Sequence, residues 1–446
     1  MKNATPITAD MIAAYREWYH EDAAAPVYAA ALSGSDFTEV TYDAAAAARL
    51  QNHFTIDLHL SEVTNQKRSG RCWLFASMNI FREKVAERCN LDRIELSGAY
   101  FAFWDKLEKL NFFLEAGIAT ADRPIRDRTL DWITDGIGDG GQWDMMAAIV
   151  SKYGVVPAEV MPDNEQSTNT RAHWALLNSR LRRDITVLRK VVAERGEEAA
   201  RACKEEMLAG YFKALCILYE EPPERFDFTY EDKDKVYHVD RGLTPQEFYD
   251  KYVGIDLSDY VSLINSPTED KPFGRSYTVK FLGNTVEYAV RYLNLPMEEL
   301  ERIAIEQLKD GEPVWFGSDA GKYGNRAVGI WDPDSFTAER MLGLDTTMTK
   351  ADRLNFNDSR MNHAMVITGV NFDENGQPDR WKIENSWGDE RGMKGYYIGS
   401  EAWFRAFVYQ IITHKKYLSA EQLAAYEAEP VELEPWDPMG SLALIR

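Results

Sequence analysis

Cysteine is scarce in this sequence, and so are the usual metal-ligand patterns. The 446 residues include four cysteines, namely Cys72, Cys89, Cys203 and Cys216. Folds that depend on disulfides carry far more, so a disulfide scaffold is excluded and a reducing compartment is expected. The seven histidines are scattered, and neither a paired C-x-x-C nor an H-E-x-x-H motif occurs. We therefore predict no metal and no other cofactor.

Long apolar runs and an excess of basic residues are missing as well. No stretch reaches the ~18 apolar residues of a membrane-spanning helix, and the N-terminal segment has no basic region followed by an apolar core. Lys and Arg total 51 against 72 Asp and Glu, which gives a net charge of −21. Such a field repels phosphate backbones and anionic lipids. We predict a cytoplasmic protein that binds neither nucleic acid nor membranes.

The sequence does contain enough apolar residues for a large core. Hydrophobic residues make up 45% and charged residues 28%, which is typical of folded globular proteins and not of disordered chains. Apolar residues recur at helical spacing over 72–88, 97–114 and 298–309. Short apolar or alternating runs, typical of strands, lie at 313–317, 364–370 and 381–384. The pattern predicts helices early in the chain and a sheet mostly in its second half.

The sharpest local motif is QKRSGRCW at 66–73, where a Ser-Gly pair leads into Cys72 at the start of a predicted helix. The helix dipole and free backbone N–H groups favour a thiolate there, and cysteine pKa values at such sites can fall to roughly 3.5–7.5. We predict that Cys72 is a nucleophile. The other three cysteines are predicted to be small apolar core residues.

Three further residues have the chemistry to assist a thiolate. His363 begins an apolar strand and can serve as the base. Asn385 follows 22 residues later, and its side-chain oxygen can accept from the imidazole and orient the ring. Gln66, six residues before Cys72, can donate its amide N–H to a tetrahedral oxyanion. The four residues together predict covalent catalysis by a cysteine.

These motifs resemble those of the papain-like cysteine peptidases. The likeness rests on SGRCW at 69–73, with Ser69 where many secreted relatives have a disulfide cysteine, and on NSWG at 385–388. Stretches at 95–109, 314–322, 349–363 and 435–440 resemble more closely the bleomycin hydrolase and bacterial aminopeptidase C family. The resemblance implies that Trp387 shields the His-Asn hydrogen bond. It also implies that Gly140 and Gly141 let substrate lie along the cleft wall, with an ordinary turn as the alternative.

The resemblance implies an α+β fold, in which a papain-like core combines a helical lobe with an antiparallel, barrel-like sheet lobe. The 291 residues from Cys72 to His363 exceed the ~130–150 of papain relatives, which indicates a large insertion. The predicted segments are an N-terminal arm (1–52), the helical lobe (53–163), a helical and hook-like insertion (164–310), the sheet lobe (311–419), and a C-terminal helix with an active-site arm (420–446).

The function implied is that of a cytosolic cysteine aminopeptidase acting on peptides with a free N-terminus, with bleomycin-hydrolase-like activity. Members of the resembled family form homohexamers, and an arm ending near the position of Ala443 blocks part of their cleft. This chain continues with Leu444, Ile445 and Arg446, which Cys72 is expected to remove. Two alternatives stay open: an endopeptidase with an open cleft, and an inactive scaffold or binding protein.

Overall fold

The computed structural model describes residues 4–444. Its α-helices are α1 (Ala9–Glu21), α2 (Ala25–Leu32), α3 (Phe37–Thr41), α4 (Ala44–Ala47), α5 (Cys72–Arg88), α6 (Gly98–Ala119), α7 (Arg128–Thr134), α8 (Trp143–Tyr153), α9 (Glu165–Thr168), α10 (Arg171–Arg195), α11 (Glu197–Tyr219), α12 (Pro245–Phe248), α13 (Met297–Lys309), α14 (Ala338–Leu342), α15 (Lys350–Asn355), α16 (Glu401–Phe407) and α17 (Ala420–Glu427). Short 3₁₀ helices cover Leu257–Asp259, Pro333–Ser335, Lys415–Tyr417 and Pro438–Leu444, and a π-helical turn covers Tyr249–Val253.

The strands are β1 (Ile56–Asp57), β2 (Phe226–Glu231), β3 (Tyr237–Leu243), β4 (Tyr260–Ile264), β5 (Arg275–Val279), β6 (Tyr292–Asn294), β7 (Val314–Ser318), β8 (Gly324–Asn325), β9 (Ile330–Trp331), β10 (His363–Phe372), β11 (Pro378–Glu384), β12 (Tyr396–Ser400), β13 (Val408–His414) and β14 (Val431–Leu433). Among residues 4–444, no helix is both long enough and apolar enough to cross a membrane.

The first lobe is helical and is built on α5 and α6. Both helices are buried around most of their surface, and their apolar side chains share one core with α8, α10 and α11. Ser97 caps α6, because its hydroxyl accepts from the backbone N–H of Tyr100. The pair α10 and α11 packs against α6. Gly196 joins the two helices with a φ of +86°, a conformation that glycine adopts without strain.

The second lobe is a mainly antiparallel sheet. Its strand order is β14-β5-β6-β4-β13-β7-β10-β11-β12-β9-β8, with β1 added beside β10. Along β10, Ala364 and Val366 pack into the core of the helical lobe, whereas Met365 and Ile367 pack into a second core with α13 and α16. This alternation follows from the two-residue period of a strand. It leaves β10, which begins at His363, packed against α5.

The predicted α+β class with a helical lobe and a sheet lobe is confirmed. The helices predicted at 72–88, 97–114 and 298–309 correspond to α5, α6 and α13, and the predicted strands correspond to β7, β10 and β11. The segment boundaries stay a prediction. The sheet takes β4, β5 and β6 from the segment predicted as an insertion, whereas β2 and β3 form a separate two-stranded sheet.

The C-terminal arm is held against the body of the protein by charged and aromatic contacts. After α17, β14 pairs in parallel with β5. Asp437 then forms a salt bridge with the buried Lys271, with 2.8 Å between Oδ2 and Nζ. Trp436 stacks on the guanidinium of Arg128, 3.6 Å from its ring centroid. Residues 445–446, on which the predicted self-removal partly falls, lie outside the described residues.

Candidate active site

Cys72 lies at the interface of the two lobes. It is the first residue of α5 and is 1% exposed. The backbone N–H groups of Ala364, Trp73 and Cys72 itself lie near its Sγ and act to lower the pKa of the thiol. Since Ala364 follows His363 at the start of β10, the thiol lies directly beside the strand that carries the histidine.

The loop that leads to Cys72 is fixed by side-chain contacts. Arg71 is buried and forms an ion pair with Asp163, with 2.9 Å between Nη1 and Oδ1. Its Nε donates to Ser69 Oγ at 2.8 Å. Lys67 has a φ of +55°, held by an Asx turn in which Asn65 Oδ1 accepts from the Lys67 N–H. Such local strain is common where a loop presents reactive groups.

His363 and Asn385 form the predicted hydrogen bond. His363 Nε2 lies 2.8 Å from Asn385 Oδ1, which also accepts from the backbone N–H of Ser386 at 2.8 Å. An oxygen with two donors cannot be exchanged for the amide nitrogen, so this orientation of Asn385 is the one that the contacts allow. The neutral imidazole therefore carries its proton on Nε2 and leaves Nδ1 as the base.

Trp387 covers this pair. Its indole stacks on the His363 ring with 4.7 Å between centroids and 25° between planes. The aromatic face restricts water around the His363–Asn385 hydrogen bond, which strengthens it. The guanidinium of Arg326 lies over the same indole, 4.5 Å from the ring centroid.

Burial dominates the charge states of Cys72 and His363. It raises the pKa of the Cys72 thiol to about 11, although the surrounding N–H donors act to lower it. It lowers the pKa of His363 to about 4, against the opposing effect of the Asn385 hydrogen bond. The helix N-terminus therefore does not by itself produce the low thiol pKa that the sequence suggests. A thiolate and an imidazolium that form together attract each other, which favours the charged pair over two isolated charges.

Gln66, the predicted oxyanion donor, is held by hydrogen bonds on both ends of its side-chain amide. Its Nε2 donates to Ser69 O at 2.7 Å, and its Oε1 accepts from Ser386 Oγ at 2.7 Å. The backbone N–H of Gln66 also donates to Ser386 O. These contacts leave one N–H of the side-chain amide for a substrate. They also join the loop before Cys72 to the loop that carries Asn385.

The chain matches the Peptidase C1-like family over residues 6–440. It belongs to this family. It is 50% identical to aminopeptidase C of Streptococcus thermophilus, covering 87% of this chain and 88% of the relative, and 45% identical to aminopeptidase C of Listeria innocua, covering 99% and 100%. A solved structure of PepW from Lactobacillus rhamnosis is similar with a TM-score of 0.96 and 42% identity, covering 98% of this chain and 99% of that one.

In this Peptidase C1-like chain, the four predicted catalytic residues meet at one place, whereas the predicted substrate-binding residues are arranged less simply. Gly141 lies against the Trp73 indole, where a Cβ atom would come within 2.4 Å of the ring, so no larger residue fits. Ala443 lines a small cavity together with Gly138. Contact of Gly140, Gly141, Trp387 or Ala443 with substrate stays a prediction.

The C-terminal arm passes beside the site formed by these residues. Gln142 Nε2 donates to Met439 O at 3.3 Å, and Ser441 Oγ donates to Met361 O at 2.8 Å. Met361 is two residues before His363, and Gln142 directly follows the glycine pair. The arm therefore bridges the loop before the histidine and the glycine loop.

Sequence reasoning missed the buried lysine that supports the glycine loop. Lys109 on α6 donates to Gly138 O at 3.0 Å and to Gly140 O at 2.6 Å, and pairs with Asp105 at 2.7 Å. A signal was available, because charged residues recur at 105, 106, 108 and 109 within an otherwise aromatic helix predicted to be core. Charges there must be paired, and the partners of Lys106 and Lys109 include residues of the glycine loop.

Asp139 is a second missed residue of the same loop. It pairs with Lys106 at 2.5 Å and accepts from Trp174 Nε1 at 2.6 Å and from the Gly70 N–H at 3.1 Å. Although burial acts to raise it, the pKa of Asp139 is held well below its usual range by Lys106 and by hydrogen bonds from Thr170 and Trp174. Through Gly70 the carboxylate anchors the loop that precedes Cys72. Within residues 4–444, no group of three or more His, Cys, Asp or Glu side chains is arranged to hold a metal ion.

A buried ion pair joins the nucleophile helix to the asparagine loop. Arg82 on α5 lies 2.7 Å from Glu384, the last residue of β11, and neither side chain is more than 3% exposed. Burial raises the pKa of Glu384 to about 7, although Arg82 acts to lower it. Because Asn385 follows Glu384, the pair helps to set the position of Asn385 relative to α5.

We expect Glu384→Gln to flatten the dependence of stability on pH. The folded-state pKa of Glu384 lies above the ordinary value of 4.5, so the stability from this group is complete below pH ~4.5 and is lost as the pH rises through ~7. The wild type should therefore lose a few degrees of Tm from pH 5 to pH 8 that the variant does not lose. Thermal melts at both values test this, with the exposed Glu62→Gln as control. Equal slopes in all three proteins contradict it.

We expect Gln66→Ala to lower kcat by about 10²-fold with a smaller change in KM, because the amide donor acts mainly on the oxyanion. Steady-state kinetics on an aminoacyl amide test this. Gln66→Asn, which keeps the amide on a shorter side chain, shows whether reach is needed. A loss confined to KM contradicts the assigned role.

Proposed function

We propose that this protein is a cysteine aminopeptidase that releases N-terminal residues from peptides. The observation that carries the proposal is the meeting of Cys72, His363, Asn385 and Gln66 between the two lobes. Similar proteins named aminopeptidase C, at 45–50% identity, support the same activity. The His363–Asn385 hydrogen bond and the contacts that hold Gln66 beside the asparagine loop favour an active site over an inactive scaffold.

The geometry accounts for both halves of the reaction. The Cys72 thiolate attacks the scissile carbonyl and forms a C–S bond, while Gln66 and the Cys72 N–H stabilise the oxyanion. The C–N bond then breaks as His363 gives its Nδ1 proton to the leaving amine. Water attacks the thioester while His363 accepts its proton, the C–S bond breaks, and the residue leaves as a carboxylate while His363 returns the proton to Sγ. Asn385 keeps the imidazole in the required tautomer throughout.

The C-terminal arm supports exopeptidase specificity. Ala443 and Leu444 line a small cavity with Lys109, Gly138 and Leu282, beside the loop predicted to hold the substrate backbone. A cleft occupied in this way has room for a short N-terminal portion of substrate only. A carboxylate at the end of the arm would attract the substrate ammonium where water is partly excluded.

The test compares one fluorogenic aminoacyl amide with its N-acetylated form, each with the wild type and with Cys72→Ala. We expect the wild type to turn over the free-amine substrate alone, and the variant to turn over neither. Comparable cleavage of both substrates by the wild type would replace this proposal with an endopeptidase. Turnover that persists in Cys72→Ala would exclude cysteine chemistry.

We further propose a homohexameric, cytoplasmic enzyme that also hydrolyses bleomycin, as its resemblance to the bleomycin hydrolase family implies. Helix α1 supports self-association, because none of its residues is buried and Trp18 and Tyr15 are 70% and 50% exposed. Light scattering after size exclusion measures the assembly directly. A monomeric mass at micromolar concentration contradicts the hexamer.

A further inference from the structure

Arg326 is a cation without a counter-ion at the edge of the active site. Its side chain is exposed, and within residues 4–444 its guanidinium makes no ion pair and no hydrogen bond. Its one side-chain partner is the Trp387 indole, at 4.5 Å. Other exposed arginines among residues 4–444, such as Arg340, also lack an ion-pair partner. Arg326 differs from Arg340 because its guanidinium lies over the aromatic ring that stacks on His363.

The backbone at Arg326 is fixed by its surroundings. Tyr397 OH donates to the carbonyl of Arg326 at 3.3 Å, and Asn325 Oδ1 accepts from the backbone N–H of Ala327 at 3.1 Å. Gly329 packs closely against Gly392, because a Cβ atom on Gly329 would lie only 2.6 Å from the Cα atom of Gly392. The guanidinium therefore projects from a constrained loop, and little backbone order has to be gained when it binds a ligand.

Nearby charges do not neutralise Arg326. The adjacent loop carries Asp389, Glu390, Arg391 and Lys394, so its own charges balance, and neither acidic residue pairs with Arg326. The positive charge of Arg326 also acts on His363, because it disfavours the imidazolium and so acts to lower the pKa of His363. An anion bound at Arg326 would therefore lie within the electrostatic range of the imidazole.

The reaction places the leaving part of the substrate on this side. His363 protonates the leaving amine, so the residue after the scissile bond lies next to the imidazole and the Trp387 ring that stacks on it. The His363 ring centroid lies 4.7 Å from the Trp387 ring centroid. The Cζ atom of Arg326 lies 4.5 Å from the centroid of the same indole. An extended residue spans about 3.5 Å. A carboxylate on the first or second leaving residue can therefore reach Arg326.

We propose that Arg326 binds a carboxylate on the leaving part of the substrate, which selects dipeptides, tripeptides and peptides with an acidic residue after the scissile bond. The proposal rests on the aminopeptidase function proposed above and adds its preference beyond the cleaved bond. A planar guanidinium accommodates a carboxylate through two parallel hydrogen bonds while it remains stacked on the indole. The two sources of carboxylate are the free C-terminus of a short peptide and an Asp or Glu side chain.

The experiment measures kcat/KM for matched neutral and anionic leaving groups. Ala-Ala is compared with Ala-Ala amide for the terminal source, and Ala-Asp amide with Ala-Asn amide for the side-chain source. In the wild type we expect the anionic member of at least one pair to be preferred about two- to fivefold, as for an exposed ion pair. In Arg326→Gln this ratio should fall to near one. Arg340→Gln, at another exposed arginine without an ion-pair partner, should keep the wild-type ratio.

Each comparison is a ratio within one protein, so a general loss of activity in a variant cancels. If the wild type shows an anionic-to-neutral ratio of kcat/KM at or below one for both pairs, the proposal is overturned. It is also overturned if Arg326→Gln keeps the wild-type ratios. A wild-type preference that weakens between 50 mM and 500 mM salt supports it even where Arg326→Gln is too unstable to assay. Failure of the wild type to release alanine from either amide would instead contradict the aminopeptidase function itself.

Discussion

Replacing Cys72 with alanine is expected to lower kcat/KM by about 10⁵-fold or more, because it removes the atom that forms the thioester. No other side chain at the site can substitute, since His363 and Asn385 are committed to each other at 2.8 Å. The measurement is steady-state turnover of an aminoacyl amide at high enzyme concentration. Cys203→Ala is the matched control, because this half-buried thiol lies on α11, in the helical pair formed by α10 and α11.

His363→Ala should lower kcat/KM by a similar factor. The double variant Cys72→Ala/His363→Ala should have a kcat/KM only slightly below that of either single variant. The thiolate forms only when its proton passes to the imidazole, so the two residues act as a unit and their effects do not add. Cys72 is buried and small, and its loss should change Tm by no more than a few degrees. If the double variant were far less active than each single variant, the two residues would be acting independently.

The second large effect is expected from shortening the arm. Truncation after Leu442 removes Ala443 and everything beyond it, but keeps Met439 and Leu442, which are both fully buried. The cleft beside Gly138 then opens, and we expect cleavage of an N-acetylated peptide to rise at least tenfold over the wild-type background, since a steric block has been removed. Cleavage of a free-amine substrate should fall, because the terminal carboxylate moves away from the ammonium.

Loosening the arm without shortening it provides a matched comparison. Lys271→Met removes the ammonium that pairs with Asp437 and with the more exposed Asp270, so the arm should detach more readily. We expect this variant to show a smaller increase in endopeptidase activity than the truncation. Mass spectrometry of the cleavage products identifies the bonds that are cut. If both proteins release only N-terminal residues, the arm does not set the specificity.

Much of the site could be predicted because its chemistry is written in short motifs. The glycine before Arg71 and the NSWG run mark Cys72 and Asn385 by local sequence, and the apolar run after His363 marks a strand. The predicted low pKa of the Cys72 thiol is wrong, because a local motif does not show how deeply the folded protein buries the residue. Burial depends on how two lobes close over a residue, and here it outweighs the helix N-terminus.

The residues that sequence reasoning missed act through partners distant in the chain. Lys109 holds the carbonyls of Gly138 and Gly140, Arg82 pairs with Glu384 across 302 positions, and Arg326 stacks on Trp387. Each of these side chains has an ordinary alternative as a solvated surface charge. The choice between the two is made by packing, because a charge acquires its role when a particular partner comes within a few ångströms.

The amino-acid sequence alone therefore determined the two-lobe α+β class, and it predicted the nucleophile, its base, the orienting amide and the oxyanion donor. These depend on residue type, on local spacing and on the period of apolar residues, which are all properties of neighbouring positions. Only the tertiary structure decided the charge balance of the Cys72–His363 pair, the support of the glycine loop by Lys109, and the position of the arm beside the cleft. These depend on burial and on distances between remote segments, which arise when the sheet closes against α5.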